Sequence, residues 1–248
     1  MSYVVFTDID DTVIQTERKC SASDNLYPGA VNREGKVISF YTEQQHKLLN
    51  LFNGGVLIPV TGRNYAALCR TKLDFKHEII INHGALVLNS NHMLDEAWYQ
   101  QISPELSTWR VQLAEWAKDV QLIISEHKLP LRVKVIEDFN VSCYVSIKVD
   151  NKQNKIEDFL SQLAPVVNAV NSHQETLVHI NGSNMALLPP YASKANAVTF
   201  LKQKYQAIDS HTLFVGAGDS LSDLGFMKAC DYLLVPKCSQ ISDSAFDE

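Results

Sequence analysis

The stretch VVFTDIDDTVI, residues 4–14, opens like a buried strand and closes on acids. Val4, Val5 and Phe6 are β-branched or aromatic, side chains that suit a pleated, covered surface. Asp8, Asp10 and Asp11 then fall within four positions. Carboxylates this close repel, and each is better solvated alone. In near-extended backbone Asp8 and Asp10 point to the same side and can reach one pocket, while Asp11 faces elsewhere. Taken alone, the cluster also fits a solvated strand end or a structural calcium loop, so the rest of the chain has to decide.

Beyond residue 14, helix and strand alternate. Residues 15–36 read as a polar loop with room for a small hairpin. TEQQHKLLNLFNGG, residues 42–55, is a helix punctuated at both ends. Thr42 with Gln45 fits a capping box, Leu48, Leu49 and Phe52 form an apolar face, and Gly54 and Gly55 stop it. VLIPV at 56–60 is a second buried strand, a short helix starts at Tyr65, and EIIIN at 78–82 is a third strand. This β-α-β-α-β order implies a parallel sheet with crossover helices.

After Gly84 the pattern changes. A short strand at 85–88 and a turn at NSNH lead to a long amphipathic helix beginning near Pro104. LRVKVIED and VSCYVSIKVD alternate as half-exposed strands, with Phe139 and Asn140 as the hairpin turn. NKIEDFLSQL is a helix, and PVVNAVNS and TLVHINGSNMALLPP are read as strands. The middle third is therefore α-β-β-α-β-β, a separate α+β module. After Pro190 the first pattern returns: SKANAVTFLKQKY is a helix, TLFVG a strand, 220–229 a helix and YLLVP a last strand. The fold class is α/β, with a parallel-sheet core from residues 1–84 and 186–248 and an inserted α+β module at 85–185.

Bulk properties exclude several functions. The formal net charge is −6 and there is no basic stripe, so nucleic acid is not an expected partner. No apolar run approaches the roughly 20 residues of a membrane helix. The first residues carry no basic flank or cleavage site, and a cytoplasmic protein is expected. The five cysteines are scattered, with no CxxC pair, and read as free thiols rather than zinc ligands. The oligomeric state is left open.

Four features sit where core strands end or helices begin: Asp8 with Asp10, Thr61, Lys194, and Asp219 with Asp223. Ligands of open parallel sheets bind at the carboxyl ends of strands, so these features are expected to converge. Crowded carboxylates need a cation, and Mg²⁺ is a hard ion that takes one or two carboxylates together with a substrate phosphate. One Asp can attack phosphorus, and another can protonate the leaving oxygen and then activate water. Lys194 offsets phosphoryl charge, and the hydroxyl of Thr61 with the neighbouring N–H of Gly62 can donate to a phosphate oxygen.

With these motifs in this order, the chain resembles the haloacid dehalogenase superfamily of phosphohydrolases. DxDxT is matched by Asp8, Asp10 and Thr12, the strand ending in Thr by LIPVTGR with Thr61, the Lys motif by Lys194, and GDxxxD by Asp219 and Asp223. The resemblance implies a Rossmann-like core, Mg²⁺ as cofactor, Asp8 as nucleophile and Asp10 as general acid/base. It implies metal ligation by the Asp8 and Asp219 carboxylates and the Asp10 carbonyl, supported by Asp223, with phosphate held by Thr61 and Lys194. The inserted module is similar to the larger α/β cap of Cof-type phosphatases and of sucrose-phosphate, mannosyl-phosphoglycerate and trehalose-phosphate phosphatases. Many relatives have Gly where this chain has Asp11, and Asn where it has Ser222.

Residues 85–184 hold eight Lys or Arg against twelve Asp or Glu, a balance that favours a neutral, hydroxyl-rich leaving group. The expected partner is a small phosphorylated metabolite, a sugar phosphate. Arg63, Asn64, His83 and Asn184 are candidate substrate contacts. Trp98, Trp109 and Trp116 are read as packing within the cap. A phosphomutase shares the core motifs, and a non-catalytic binder of phosphometabolites is the alternative from another class.

Overall fold

The computed structural model describes residues 3–22, 24–150 and 154–246. The chain forms two compact units, one from Met1–Trp98 with Lys194–Glu248 and the other from Tyr99–Ser193.

In the first unit, β1 (Tyr3–Thr7) is the covered strand that its apolar run predicts, with Val4, Val5 and Phe6 fully buried. A hairpin of β2 (Leu26–Val31) and β3 (Val37–Thr42) comes next. More of the 15–42 segment is strand than its polar composition suggests. Helix α1 (Glu43–Leu51) starts on the expected capping box: Gln45 N–H donates to Thr42 Oγ1, and the Gln45 side chain accepts from Thr42 N–H. Then come β4 (Val56–Pro59), the short α2 (Tyr65–Leu68), and β5 (Ile79–Ile81) paired antiparallel with β6 (Leu86–Leu88).

Helix α3 (Glu96–His127) begins eight residues before the expected start at Pro104, which lies inside it. Asp95 Oδ1 accepts from Trp98 N–H at 3.1 Å and so caps the true first turn. Proline removes the helical donor to the carbonyl four residues back. Here the Ser103 hydroxyl donates to that carbonyl, Gln100 O, at 3.1 Å, so the helix continues. The Trp98 indole N–H donates to Ala85 O at 3.0 Å and its ring packs on Phe200 at 5.3 Å. Trp98 therefore belongs to the first unit, not to packing in the inserted module.

The second unit is a four-stranded antiparallel sheet, ordered β7 (Leu131–Asp138), β8 (Val141–Val149), β10 (Asn184–Leu188), β9 (Leu177–Asn181). Phe139 (φ 50) and Asn140 (φ 62) turn the β7–β8 hairpin, and two left-handed residues match the twist of the flanking strands. The expected strand at 165–172 is instead the second half of helix α4 (Leu160–Ser172). Its valines suit strands locally, but Leu163, Val166 and Val170 recur at helical spacing and are buried against Trp116 and Val120 of α3 and Val145 of β8. The rings of Trp109 and Trp116 lie 5.6 Å apart, packing as their seven-residue spacing predicts.

The chain returns to the first unit with α5 (Lys194–Ile208), β11 (Leu213–Ala217), α6 (Leu224–Met227), β12 (Tyr232–Leu234) and α7 (Gln240–Phe246). The central sheet is parallel, in the order β12-β11-β1-β4. β5 joins through a parallel bridge between Val60 and Ile80. Among the described residues, no helix is long and apolar enough to cross a membrane.

Candidate active site

Three strands of the parallel sheet deliver the site. The ladder between β1 and β11 runs one residue past β1, where Asp8 N–H donates to Ala217 O at 2.8 Å. On the other side Val60 N–H donates to Thr7 O at 2.7 Å, which carries the end of β4 alongside. Asp8, Thr61 and the turn holding Asp219 and Asp223 therefore emerge at one edge, where parallel sheets bind ligands.

Carboxylate oxygens of Asp8, Asp219 and Asp223 lie within 4.8 Å of one another. Lys194 Nζ, at the first residue of α5, donates to Asp8 Oδ1 at 2.6 Å and to Asp223 Oδ1 at 2.8 Å. Asp223 also accepts from Ser220 N–H and Oγ at 3.1 and 2.7 Å, and Thr12 Oγ1 donates to Asp219 Oδ1 at 3.2 Å. Gly218 permits this crowding, because a Cβ there would come within 2.6 Å of Asp223 Cβ.

The acids are electrostatically distinct. Burial pushes the Asp8 carboxyl well above its ordinary value against the pull of Lys194, with Asp223 and Asp10 adding to the rise. Burial, then Asp223 and Asp11, push Asp219 up to about 6. Burial also opposes ionisation of Asp223, but Lys194 and Ser220 outweigh it and hold that carboxyl low. For Lys194 itself, burial is overcome by Asp8 and Asp223, which raise it above the usual lysine range. Three crowded oxygen donors, two of them held up by burial, are a donor set suited to a hard divalent cation.

Thr61 is buried, and its Oγ1 accepts from Arg63 N–H at 3.1 Å. Arg63 is committed within the protein: its Nε and Nη2 donate to the two oxygens of Asp10 at 2.8 and 2.7 Å, a bidentate fork. No spacing pattern announces this pair, which is 53 residues apart. Asn64 is likewise engaged, its Oδ1 capping α2 by accepting from Ala67 N–H at 2.9 Å. Asn184 lies in the second unit, exposed on β10 opposite Lys148. Asp11 is paired with Lys19 at 2.7 Å, and its charge still raises Asp219. Its φ of 63° lies in the left-handed region, which glycine adopts freely and Asp tolerates better than most residues.

Residues 1–235 match the family model described as sucrose-6F-phosphate phosphohydrolase. The chain belongs to that family. It is thereby a haloacid dehalogenase-type phosphoric monoester hydrolase, as its motifs lead one to expect. No curated protein sequence matches it significantly. Among solved structures, the sucrose-phosphatase from Synechocystis sp. PCC6803 in complex with sucrose and phosphate aligns over 100% of this chain and 88% of its own, with 17% identity and a TM-score of 0.56. The C-terminal domain of C. albicans trehalose-6-phosphate phosphatase aligns over 92% and 73%, with 11% identity and a TM-score of 0.59. Thermoplasma acidophilum 0175 aligns over 100% and 99%, with 12% identity and a TM-score of 0.53. At these identities the likeness establishes a shared fold, a Rossmann-like core with a cap.

Proposed function

We propose that the protein is a Mg²⁺-dependent phosphatase that hydrolyses a sugar phosphate through an aspartyl-phosphate. The observation that carries this reading is the convergence of carboxylate oxygens of Asp8, Asp219 and Asp223 within 4.8 Å of one another, with the Lys194 ammonium bridging Asp8 and Asp223. Asp8, Asp219 and Asp223, with the Asp10 carbonyl, would hold Mg²⁺, which supplies positive charge to the phosphoryl oxygens.

Asp8 attacks phosphorus. Its Oδ–P bond forms as the P–O bond to the sugar breaks. Asp10 gives its proton to the departing sugar oxygen. In the second half Asp10 takes a proton from water, the hydroxide attacks phosphorus, and the Asp8 acyl-phosphate bond breaks to release phosphate. Lys194 offsets charge on the transferring group, and the Thr61 hydroxyl and Gly62 N–H hold its oxygens. Arg63 orients the Asp10 carboxylate through its fork. The second unit, Tyr99–Ser193, is assigned the selection of the leaving group, with Asn184 as a candidate contact. The sucrose bound in the Synechocystis structure supports a sugar as that leaving group.

Sucrose 6-phosphate, trehalose 6-phosphate, hexose phosphates and p-nitrophenyl phosphate are the substrates to assay, with Mg²⁺ or with EDTA. Free phosphate should appear only with the metal, and Asp8→Asn should lower the rate by about 10³-fold or more. Turnover that survives Asp8→Asn would remove the aspartyl-phosphate, and an isomerised sugar phosphate in place of free phosphate would make the enzyme a mutase.

A further inference from the structure

One turn grips all three residues of the 61–63 loop. Asn82 N–H donates to Arg63 O at 2.9 Å, and His83 N–H donates to Thr61 O at 3.0 Å. Between those bonds the His83 ring is seated on Gly62: a Cβ added to Gly62 would lie 2.4 Å from His83 Cε1 and 2.6 Å from Nε2. The turn is conformationally costly. Asn82 (φ 53), His83 (φ 59) and Gly84 (φ 96) are three successive residues in the left-handed region. Residues with side chains hold that conformation only where the surroundings over-determine it, and such segments concentrate at working sites. Asn82 and Gly84 are buried, whereas His83 keeps part of its surface open.

We propose that His83 is a positioning residue for the reaction: its imidazole, packed on Gly62, sets the 61–63 loop and, through the Arg63 fork, the place of the Asp10 carboxylate. The inference rests on the roles proposed for Asp8 and Asp10. Gly62 then has a steric reason to be glycine, since the ring occupies the space of a side chain. The effect of losing the ring is specific. A sugar oxygen needs a proton from Asp10 as it leaves, whereas p-nitrophenolate leaves without one. A displaced Asp10 therefore slows the sugar ester more than the nitrophenyl ester.

The test uses His83→Asn and His83→Gly, which both tolerate left-handed backbone and so preserve the turn. Each should lower kcat for the sugar phosphate about tenfold or more, with KM changed by less than about threefold and p-nitrophenyl phosphate much less affected. Gly62→Ala should be severely impaired, and adding His83→Gly should restore activity at least about threefold by vacating the space. The proposal is overturned if the His83 variants slow both esters equally or not at all, or if the double variant is no better than Gly62→Ala. Those outcomes are separate from failure of the underlying reading, which shows as activity surviving Asp8→Asn in the otherwise native protein.

Discussion

Replacing Lys194 with methionine probes the charge balance of the site. Methionine keeps most of the volume of the stem and deletes the ammonium. The Lys194 side chain is 14% exposed, Asp8 10% and Asp223 1%, so the charges interact largely out of water. Two charge-assisted hydrogen bonds disappear, at 2.6 and 2.8 Å, each worth about 1.5–3 kcal/mol. Removing one partner of a buried pair costs about 3–5 kcal/mol because the other charge is stranded. The lost cation–π contact with Phe226, at 5.8 Å, adds at most about 1 kcal/mol. The expected loss in EDTA is therefore about 3–5 kcal/mol. At about 2–4 °C per kcal/mol for a chain of this size, the unfolding midpoint falls by roughly 6–20 °C. Thermal unfolding in EDTA measures it, alongside Asp8→Asn/Lys194→Met, which strands one carboxylate fewer and should regain about 1–2 kcal/mol. A drop below about 2 °C in EDTA, or a double variant less stable than Lys194→Met, would refute the buried-pair account.

Asp219→Asn should abolish stabilisation by Mg²⁺. In the wild type, Mg²⁺ at a hundred times its dissociation constant should add about 2.7 kcal/mol, read as a rise in melting temperature. Asp11→Gly should leave stability within about 1 kcal/mol of wild type, because glycine suits the left-handed φ and the exposed Lys19 pair is worth little. Asp11→Val, by the same argument, should fall about 1–2 kcal/mol below Asp11→Gly in urea unfolding. Burial alone would raise the Glu78 carboxyl, but the Tyr205 hydroxyl at 2.6 Å and the Lys204 ammonium at 3.1 Å hold it below its ordinary value. A depressed native value stabilises above the unfolded one, about 4.3, and that stabilisation fades as pH falls through the native value. Tyr205→Phe should therefore cost about 1–2 kcal/mol at pH 7, and its gap to wild type should narrow below about pH 4. A gap that widens with acid would contradict the pairing.

Local grammar carried much of the architecture. The Thr42–Gln45 box, the Phe139–Asn140 turn and the apolar strands expected at 3–7 and 56–60 are set by neighbours a few residues away, and the strands formed as Tyr3–Thr7 and, one residue shorter, Val56–Pro59. Pro104 misled because its usual place is a first turn; inside α3 the Ser103 hydroxyl supplies Gln100 O with the donor that proline lacks. The 165–172 segment misled because valine propensity favours strand, while burial against α3 selected helix.

By itself the sequence determined that Asp8, Thr61 and Asp219 follow core strands and that Lys194 opens a helix, and it led one to expect them at one edge, because parallel strands bring their carboxyl ends together. Only the tertiary structure decided who partners whom at that edge. Arg63 takes Asp10, Lys194 bridges Asp8 and Asp223, and the His83 ring fills the space above Gly62. Those contacts join residues from 21 to 186 positions apart, and they depend on backbone placement to within an ångström, which no local pattern encodes.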